Sequence, residues 1–320
     1  MTGSETARRC LEAGQTVLGC DNFFCGSPEL VEELKTLGLI FFEADIGQPQ
    51  ALDKLFSEAA RLAPNFKRRV FINCAAVVHT KHFYHPEDTF EVNVLAMRDC
   101  LRRCLAAGFD VFINCSTSEV YSMESWQPGG VVESAAVLLA TAEQSLRTSY
   151  ATGKLMTEFF LREAVEKGKI RGCSIRFANV YSPHELYDDH IIPYIISSIL
   201  RDGQLTLLEN ARVTRRTFLH NADSCAAVLA LAATEKALDG SIYNVGTLEE
   251  ISILDLVARI AGLLGQPDIP INFSGRRGCD PERRLLNIDK IRKATGWFPR
   301  VSLAEGLRQC VELRRRIGEK

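Results

Sequence analysis

The run Val111-Phe-Ile-Asn-Cys-Ser-Thr-Ser-Glu-Val-Tyr121, followed further along by Tyr150-Ala-Thr-Gly-Lys154, is the stretch around which the chain is organised. Its first part reads as a buried strand that ends in hydroxyl side chains. Tyr150 and Lys154 are four residues apart and therefore share one face of a helix. A nearby ammonium favours the phenolate form of a phenol whose ordinary pKa is about 10. We therefore expect Thr117, Tyr150 and Lys154 to form one proton-transfer group.

Composition limits the classes of partner. The chain has 320 residues, of which 46% are hydrophobic, and a net charge of -2. This apolar fraction is ample for a buried core. Because acidic and basic residues are mixed throughout, we expect neither a nucleic-acid partner nor a membrane partner. A small-molecule ligand and a cytoplasmic location are the expectation, since no signal peptide opens the chain and no apolar run reaches membrane-span length.

Cysteine and histidine usage does not indicate a metal site. Most of the eleven cysteines lie in apolar or helical runs, which is typical of reduced core thiols. Cys20 and Cys25 lack a second pair at zinc-site spacing. The cluster of His79, His82 and His85 is interpreted as loop residues that flank a substrate, so no metal is predicted.

Strands and helices alternate through the first half. Apolar runs at 16–20, 39–43, 69–76 and 111–115 predict strands, and the segments 5–13, 28–37, 48–62 and 87–107 predict helices. This alternation predicts an α/β fold with a doubly wound parallel sheet, whose ligands bind outside the carboxyl ends of the strands. Asp21, Asp45, Ala75, Ala76 and Thr117 all fall at those ends.

An ordered set of motifs carries a family resemblance. It comprises Asp21-Asn-Phe-Phe24, Ala75-Ala76, Val92-Asn-Val94, Ser116 to Tyr121, Tyr150 to Lys154, Arg176 to Pro183, Arg216 and Asp280-Pro-Glu-Arg-Arg284. The set resembles the extended short-chain dehydrogenase/reductase family, specifically its NAD-dependent nucleotide-sugar epimerases, dehydratases and decarboxylases, which are isomerases and lyases. The resemblance implies a Rossmann-like NAD-binding domain at 1–178, to which 212–248 partly returns, and a small, mainly substrate-binding region at 179–320.

The resemblance also implies the cofactor site. Asp21 would accept hydrogen bonds from the adenosine ribose, and a carboxylate there favours NAD over NADP. Asp45 and Ile46 would border the adenine, and Lys154 would hold the nicotinamide ribose. The remaining cofactor-binding positions are Gly3, Asn22, Ala75, Ala76, Asn93 and Tyr150.

The chain departs from this family at its start. The family opens with an apolar strand and a glycine-rich phosphate loop, whereas here Met1-Thr-Gly3 runs directly into Ser4-Glu-Thr-Ala7. The first strand and most of the loop are therefore expected to be missing, which would leave neighbouring strands unpaired. An internal start methionine, loss of the loop residues, and a degenerate member with weak cofactor binding remain open as explanations.

The same resemblance assigns the chemistry. Tyr150, assisted by Thr117, would remove the proton of the sugar C4 hydroxyl to give a 4-keto sugar. Glu119, in the Ser118-Glu119 pair, would then act as a base or orient a substrate carboxylate. Asn179, Arg216 and Arg283 would bind the substrate, since a guanidinium suits a pyrophosphate. The alternative is a catalytically impaired relative that binds a nucleotide or sugar in a regulatory role.

Two further expectations concern surfaces. The segments 87–107 and 150–167 are, by resemblance, the contact of a homodimer. The connection 124–149 is unusually apolar at Val131, Val132 and 135–140, and we expect a helix there over the substrate cleft.

Overall fold

The fold is described from a computed structural model, which covers residues 1–123, 127–185 and 187–318. Its main sheet has four parallel strands in the order β3 (Val70–Asn73), β4 (Val111–Thr117), β5 (Arg171–Phe177) and β9 (Asp239–Val245). Every residue of β4 is buried, as expected for a continuous apolar run in a sheet covered on both faces. The predicted α/β fold with a parallel sheet is confirmed.

The strands of the described chain are β1 (Leu18–Asp21), β2 (Ile40–Glu43), β3 (Val70–Asn73), β4 (Val111–Thr117), β5 (Arg171–Phe177), β6 (Asn179–Tyr181), β7 (Leu205–Leu207), β8 (Arg215–His220), β9 (Asp239–Val245), β10 (Glu250–Ser252), β11 (Ile271–Phe273) and β12 (Arg283–Arg284). The helices are α1 (Thr2–Glu12), α2 (Pro28–Thr36), α3 (Asp53–Leu62), α4 (Pro86–Asp88), α5 (Met97–Ala106), α6 (Thr148–Glu166), α7 (Ile191–Asp202), α8 (Asn221–Ala233), α9 (Ile253–Leu264), α10 (Asp289–Thr295) and α11 (Leu303–Gly318). A π-helical segment, Thr89–Ala96, joins α4 to α5.

Strands β1 and β2 pair in parallel as a separate two-stranded sheet. Within the described residues, β1 and β3 therefore belong to different sheets. That a strand of this fold is missing between them stays a prediction.

Helix α6 carries the tyrosine and lysine of the opening motif across the main sheet. Gly153 lets it pass close to the π-helical segment, because a Cβ at that position would lie 2.9 Å from Cγ2 of Thr89. At this distance a side chain would force the helices apart. The small residue between Tyr150 and Lys154 therefore sets how deeply both side chains reach into the fold.

The C-terminal half combines two kinds of element. Strand β9 joins the main sheet beside β5, and α8 packs against the same core. Helices α7, α9 and α11 enclose a second apolar core with β7 and β8. Strand β8 pairs with β10, β12 and β6, and so brings β12 towards the ends of the main strands.

The expected helix over the cleft is wrong for the described part of that connection, and residues 124–126 lie outside the described residues. Residues 127–147 are irregular, with a single bridge between Val131 and Leu286. Packing accounts for part of their apolar character, since Val131, Ala135 and Val137 join a small core with Tyr121, whereas Val132 and Leu138 are exposed. Among the described residues, no helix is long and apolar enough to cross a membrane.

Candidate active site

Thr117, Tyr150 and Lys154 meet at the carboxyl end of β4. The Thr117 hydroxyl accepts a hydrogen bond from the Glu119 amide at 3.1 Å and hydrogen-bonds to the Tyr150 phenol. The ring of Tyr150 stacks on Phe83, with ring centroids 3.9 Å apart. The buried ammonium of Lys154 donates to the Cys115 carbonyl at 2.9 Å. The structure therefore places the three side chains together in the lining of one cavity.

The expected effect of Lys154 on the phenol is not what this geometry gives. Burial and the Glu119 carboxylate raise the pKa of Tyr150 above its ordinary value, and the hydrogen bond from Thr117 and the charge of Arg147 offset this only in part. Burial also lowers the pKa of Lys154. The phenol is therefore protonated at neutral pH in the ligand-free protein, and the expected lowering of its pKa by the Lys154 ammonium is not what this environment gives.

Glu119 is held between two buried arginines. Arg147 Nη1 donates to Oε2 at 2.6 Å, and Arg284 Nη1 donates to Oε1 at 2.6 Å. Burial alone would raise the pKa of Glu119, but Arg284 and Arg147 outweigh it and hold this pKa well below its usual range. A carboxylate this acidic, with both oxygens engaged, is a poor proton acceptor. The expected role of Glu119 as a base does not fit this geometry.

We call the Glu119 carboxylate with Arg147 and Arg284 the Glu119 clamp. Further arginines continue from this clamp along the cavity. Arg216 Nη2 donates to Asp280 at 2.8 Å, and Arg284 and Arg277 lie 3.7 and 3.6 Å from the same carboxylate. Within the described residues, these three guanidinium groups and that of Arg147 thus pair with two carboxylates, Glu119 and Asp280. Burial and the neighbouring Arg284 lower the pKa of Arg216 to about 10. A buried excess of positive charge on a cavity wall is a site for an anion.

Two atoms of the cluster are unsatisfied. Arg147 Nε and Arg284 Nε are buried and have no hydrogen-bond partner within the described chain. Buried donors without partners are costly, so they indicate a place where a ligand oxygen completes the network.

Arg283, predicted to bind substrate, points away from this cluster. It donates to both carboxylate oxygens of Glu250. Arg284 lines the cavity instead, because successive side chains of β12 point to opposite faces of the sheet. Of these two adjacent arginines, the structure therefore places Arg284 at the cavity and not Arg283, which does not fit the predicted role of Arg283.

Most of the predicted cofactor residues lie beside the cavity and are not part of its lining. The exposed Asp21 carboxylate accepts from the Phe23 amide at 2.8 Å, Asn22 accepts from Phe24, and Asp45 accepts from Gly47. The side chain of Asn93 is buried and hydrogen-bonds to both backbone groups of Val77, which fixes the loop after β3. Gly3 packs near Cys74, and Ile46 joins the core under β1. Ala75 immediately precedes Ala76, which faces the cavity.

The cavity has a volume of about 760 Å³, within the usual range for small-molecule sites. Of the residues predicted from sequence, it is lined by Ala76, Thr117, Ser118, Glu119, Tyr150, Lys154, Asn179 and Arg216. The described residues contain no group of three or more metal-ligating side chains.

Sequence reasoning missed Arg147, Arg284, Asp280 and Phe83. Arg147 stands three residues before Tyr150, one helical turn away, and this spacing was a usable signal. Its guanidinium lies 5.2 Å above the ring of Phe83, which itself stacks on Tyr150. Nothing in the sequence indicated that Phe83 would pair with the phenol, because that contact joins α6 to a short 3₁₀ helix, Thr80–Tyr84, that is distant in the chain.

Fold and cavity together define a doubly wound α/β protein whose ligand site lies at the carboxyl ends of its parallel strands. The chain belongs to the NAD dependent epimerase/dehydratase family, whose model matches residues 1–246. This confirms the family resemblance seen in the sequence.

Two curated relatives illustrate the range of that family. The dTDP-D-glucose 4,6-dehydratase of Mus musculus is 28% identical over 227 residues, which cover 69% of this chain and 60% of the relative. UDP-glucuronic acid decarboxylase 2 of Arabidopsis thaliana is 26% identical over 325 residues, which cover 98% of this chain and 66% of the relative. The chain therefore spans less than two thirds of the length of either relative.

The fold is also shared with a solved structure. This is UDP-glucuronic acid 4-epimerase from Bacillus cereus, in complex with UDP-glucuronic acid and NAD. It superposes with a TM-score of 0.84 at 23% identity, and the match covers 99% of this chain and 96% of the epimerase chain.

Proposed function

We propose that this protein is an NAD-dependent enzyme that modifies a nucleotide-activated sugar through a 4-keto intermediate, as an epimerase, dehydratase or decarboxylase. One observation carries the proposal: a single cavity is lined both by the Thr117, Tyr150 and Lys154 group and by a cluster of buried arginines. The first group can move a proton, and the second can hold an anion. The proton-transfer residues and the arginines are all present in this chain, which supports turnover over binding alone.

The arginine wall is suited to the diphosphate of the substrate. Arg216 and Arg284 are buried, charged and aimed into the cavity. Guanidinium groups pair well with phosphate oxygens. The unsatisfied Nε atoms of Arg147 and Arg284 add donors on the same wall. Asn179, on β6, faces the same space and supplies an amide to the sugar or its phosphates.

The residues present also fit NAD. Lys154 has three donors, and within the described chain one acceptor is recorded for them, the Cys115 carbonyl. Its other donors suit the hydroxyls of the nicotinamide ribose, and the exposed Asp21 carboxylate suits those of the adenosine ribose. When bound, NAD would supply a positively charged hydride acceptor.

The protein's own part in the reaction is proton handling. The phenolate form of Tyr150 takes the proton of the C4 hydroxyl, and Thr117 donates a hydrogen bond that stabilises this phenolate. The positive charge that NAD would bring to the site would favour the same ionised form. Ser118 presents a buried hydroxyl at the same cavity wall. Glu119 remains ionised and holds Arg147 and Arg284 in position, which makes it a positioning residue.

We also infer a cytoplasmic homodimer. The exposed aromatic rings of Phe90 and Phe159, with Met156, lie on the π-helical segment and α6, the two segments expected to pair across a dimer axis. Such an apolar patch is typical of an interface. Eleven free thiols suit a reducing compartment.

The experiment that tests this function supplies NAD and a panel of uridine- and thymidine-diphosphate sugars to the wild type and to Tyr150→Phe. Product is followed by nuclear magnetic resonance. The wild type should form a 4-keto or rearranged sugar, and the variant should be slower by about 10²- to 10⁴-fold, the usual contribution of a positioned acid-base group. The variant keeps the ring that stacks on Phe83, so it should remain folded. No turnover by the wild type with any sugar would refute the proposal.

A further inference from the structure

Two thiols lie in contact at the floor of the cavity. Cys115 belongs to β4, and Cys74 directly follows β3. Asn73 and Asn114 are register partners on these strands, so the next residues, Cys74 and Cys115, are neighbours across the same sheet. Their sulfur atoms are 3.7 Å apart, and both residues line the cavity.

The backbone already has the spacing that a disulfide needs. Adjacent strands lie about 4.8 Å apart. Disulfides form between residues whose Cα atoms are separated by about 4.4 to 6.8 Å. The two sulfurs can therefore bond through side-chain rotation, without separating the strands.

The two thiols are electrostatically different. The hydrogen bond from Cys115 lowers the pKa of Cys74, and the ammonium of Lys154 adds to this effect. The same hydrogen bond, with burial, raises the pKa of Cys115. Cys74 is thus the better nucleophile of the pair, and Cys115 retains its proton to act second.

Other buried thiols of the chain lack this setting. Burial raises the pKa of Cys173 and of Cys310 to about 12. Cys310 lies in the second apolar core among α7, α9 and α11, away from the cavity. It serves as a matched control.

We propose that Cys74 and Cys115 form a redox modification site, at which a small peroxide entering the cavity converts the two thiols to a disulfide. The Cys74 thiolate attacks one peroxide oxygen, so an S–O bond forms, the O–O bond breaks, and hydroxide leaves and takes up a proton as water. Cys115 then attacks the Cys74 sulfur, the S–S bond forms, and the second oxygen leaves as water with the Cys115 proton. Two thiols are oxidised and one hydrogen peroxide is reduced to two waters.

The disulfide would act on the site through Lys154. Both sulfur atoms interact electrostatically with the ammonium of Lys154, and a disulfide cannot carry the negative charge of a thiolate, so linkage changes the surroundings of the residue that positions Tyr150 and the cofactor. This consequence rests on the proposed function. The disulfide itself does not, since it is detected by mass.

The test exposes the full-length wild type, Cys74→Ser and Cys310→Ser to graded hydrogen peroxide. Remaining thiols are then blocked with iodoacetamide, and the peptides are mapped by mass spectrometry. The peptide of Cys74 should be linked to that of Cys115 in the wild type and in Cys310→Ser, and dithiothreitol should release it. In Cys74→Ser, Cys115 should be oxidised at least tenfold more slowly than Cys74 is in the wild type. Turnover by the wild type should fall with the extent of linkage and return after reduction.

Oxidation of Cys310 or Cys173 before Cys74, or linkage of Cys74 to a different cysteine, would overturn the proposal. Mapping of the wild type decides the question even if Cys74→Ser does not fold. A wild type that links on oxidation but shows no turnover even in its reduced form would count against the proposed function alone, whereas an active wild type that never links would count against this inference alone.

Discussion

The phenol of Tyr150 depends on its neighbours for ionisation. Its pKa is raised by burial and by Glu119, so the free protein should become more active as pH rises and more phenolate forms. Thr117 lowers that pKa through its hydrogen bond. Thr117→Val removes this bond and should move the rising limb of the kcat/KM profile to higher pH. Thr117→Ser keeps a hydroxyl and should leave the rising limb in place. The measurement is the pH profile of kcat/KM for both variants. Coincident limbs would contradict a role for the Thr117 hydroxyl.

Glu119 is the second residue whose environment decides its role. Glu119→Gln removes the carboxylate that both buried arginines contact most closely and leaves Arg284 with Asp280 at 3.7 Å, so the free energy of unfolding should fall by about 3 kcal/mol. Glu58→Gln removes one charge of the exposed pair with Arg61, and should leave unfolding unchanged within error. Urea denaturation of both variants measures this. A stable Glu119→Gln that has lost only kcat would instead support a base.

The contribution of the Glu119 clamp to the free energy of unfolding should depend on pH in a predictable direction. The pKa of folded Glu119 lies below the value of about 4.3 for an unfolded glutamate, so its stabilisation is complete above that pH. It is lost as the pH falls through the lower, folded value. The difference in unfolding free energy between wild type and Glu119→Gln should therefore shrink below about pH 4. A difference that stays constant down to pH 3, or one that grows on acidification, would contradict the clamp.

At the scale of elements, the two adjacent arginines of the short strand β12 should differ in their effect on ligand binding, because their side chains lie on opposite faces of the sheet. Arg284→Lys should weaken binding of uridine diphosphate by about tenfold or more, because a fork of donors becomes a single point charge. Arg283→Lys changes a side chain that pairs with Glu250 on the other face, and should bind as the wild type does. Isothermal titration calorimetry distinguishes them. Equal losses in both variants would contradict the alternation.

These two arginines also show what the sequence could predict. The alternation of strands and helices, the strand-end position of Thr117 and the helical pairing of Tyr150 with Lys154 are local patterns, and the structure follows them. Which of Arg283 and Arg284 faces the cavity depends on how β12 docks against β8, a long-range pairing that local pattern does not encode. The clamp on Glu119 was hidden for the same reason, since its arginines are 28 and 165 residues away in the chain.

At the scale of the whole molecule, the exposed apolar patch on α6 predicts association. Phe159 is 62% exposed, and a charge there should convert the proposed dimer to a monomer. Phe298 is 52% exposed but lies beyond α10, so Phe298→Asp is the matched control for Phe159→Asp. Sedimentation velocity over a range of concentrations should show that only Phe159→Asp dissociates. Dissociation of both variants, or of neither, would contradict this interface.

The central claim, that the cavity oxidises a nucleotide sugar at C4 and later reverses that oxidation, is tested most directly with a nucleotide sugar that carries deuterium at C4. The labelled sugar is incubated with the wild type and a sub-stoichiometric amount of NAD, and the product is examined by nuclear magnetic resonance. We predict many turnovers per NAD, with the deuterium retained in the product at a carbon that identifies the reaction type. Product that accumulates only in proportion to NAD, or deuterium that stays at C4 of unreacted sugar, would contradict the account.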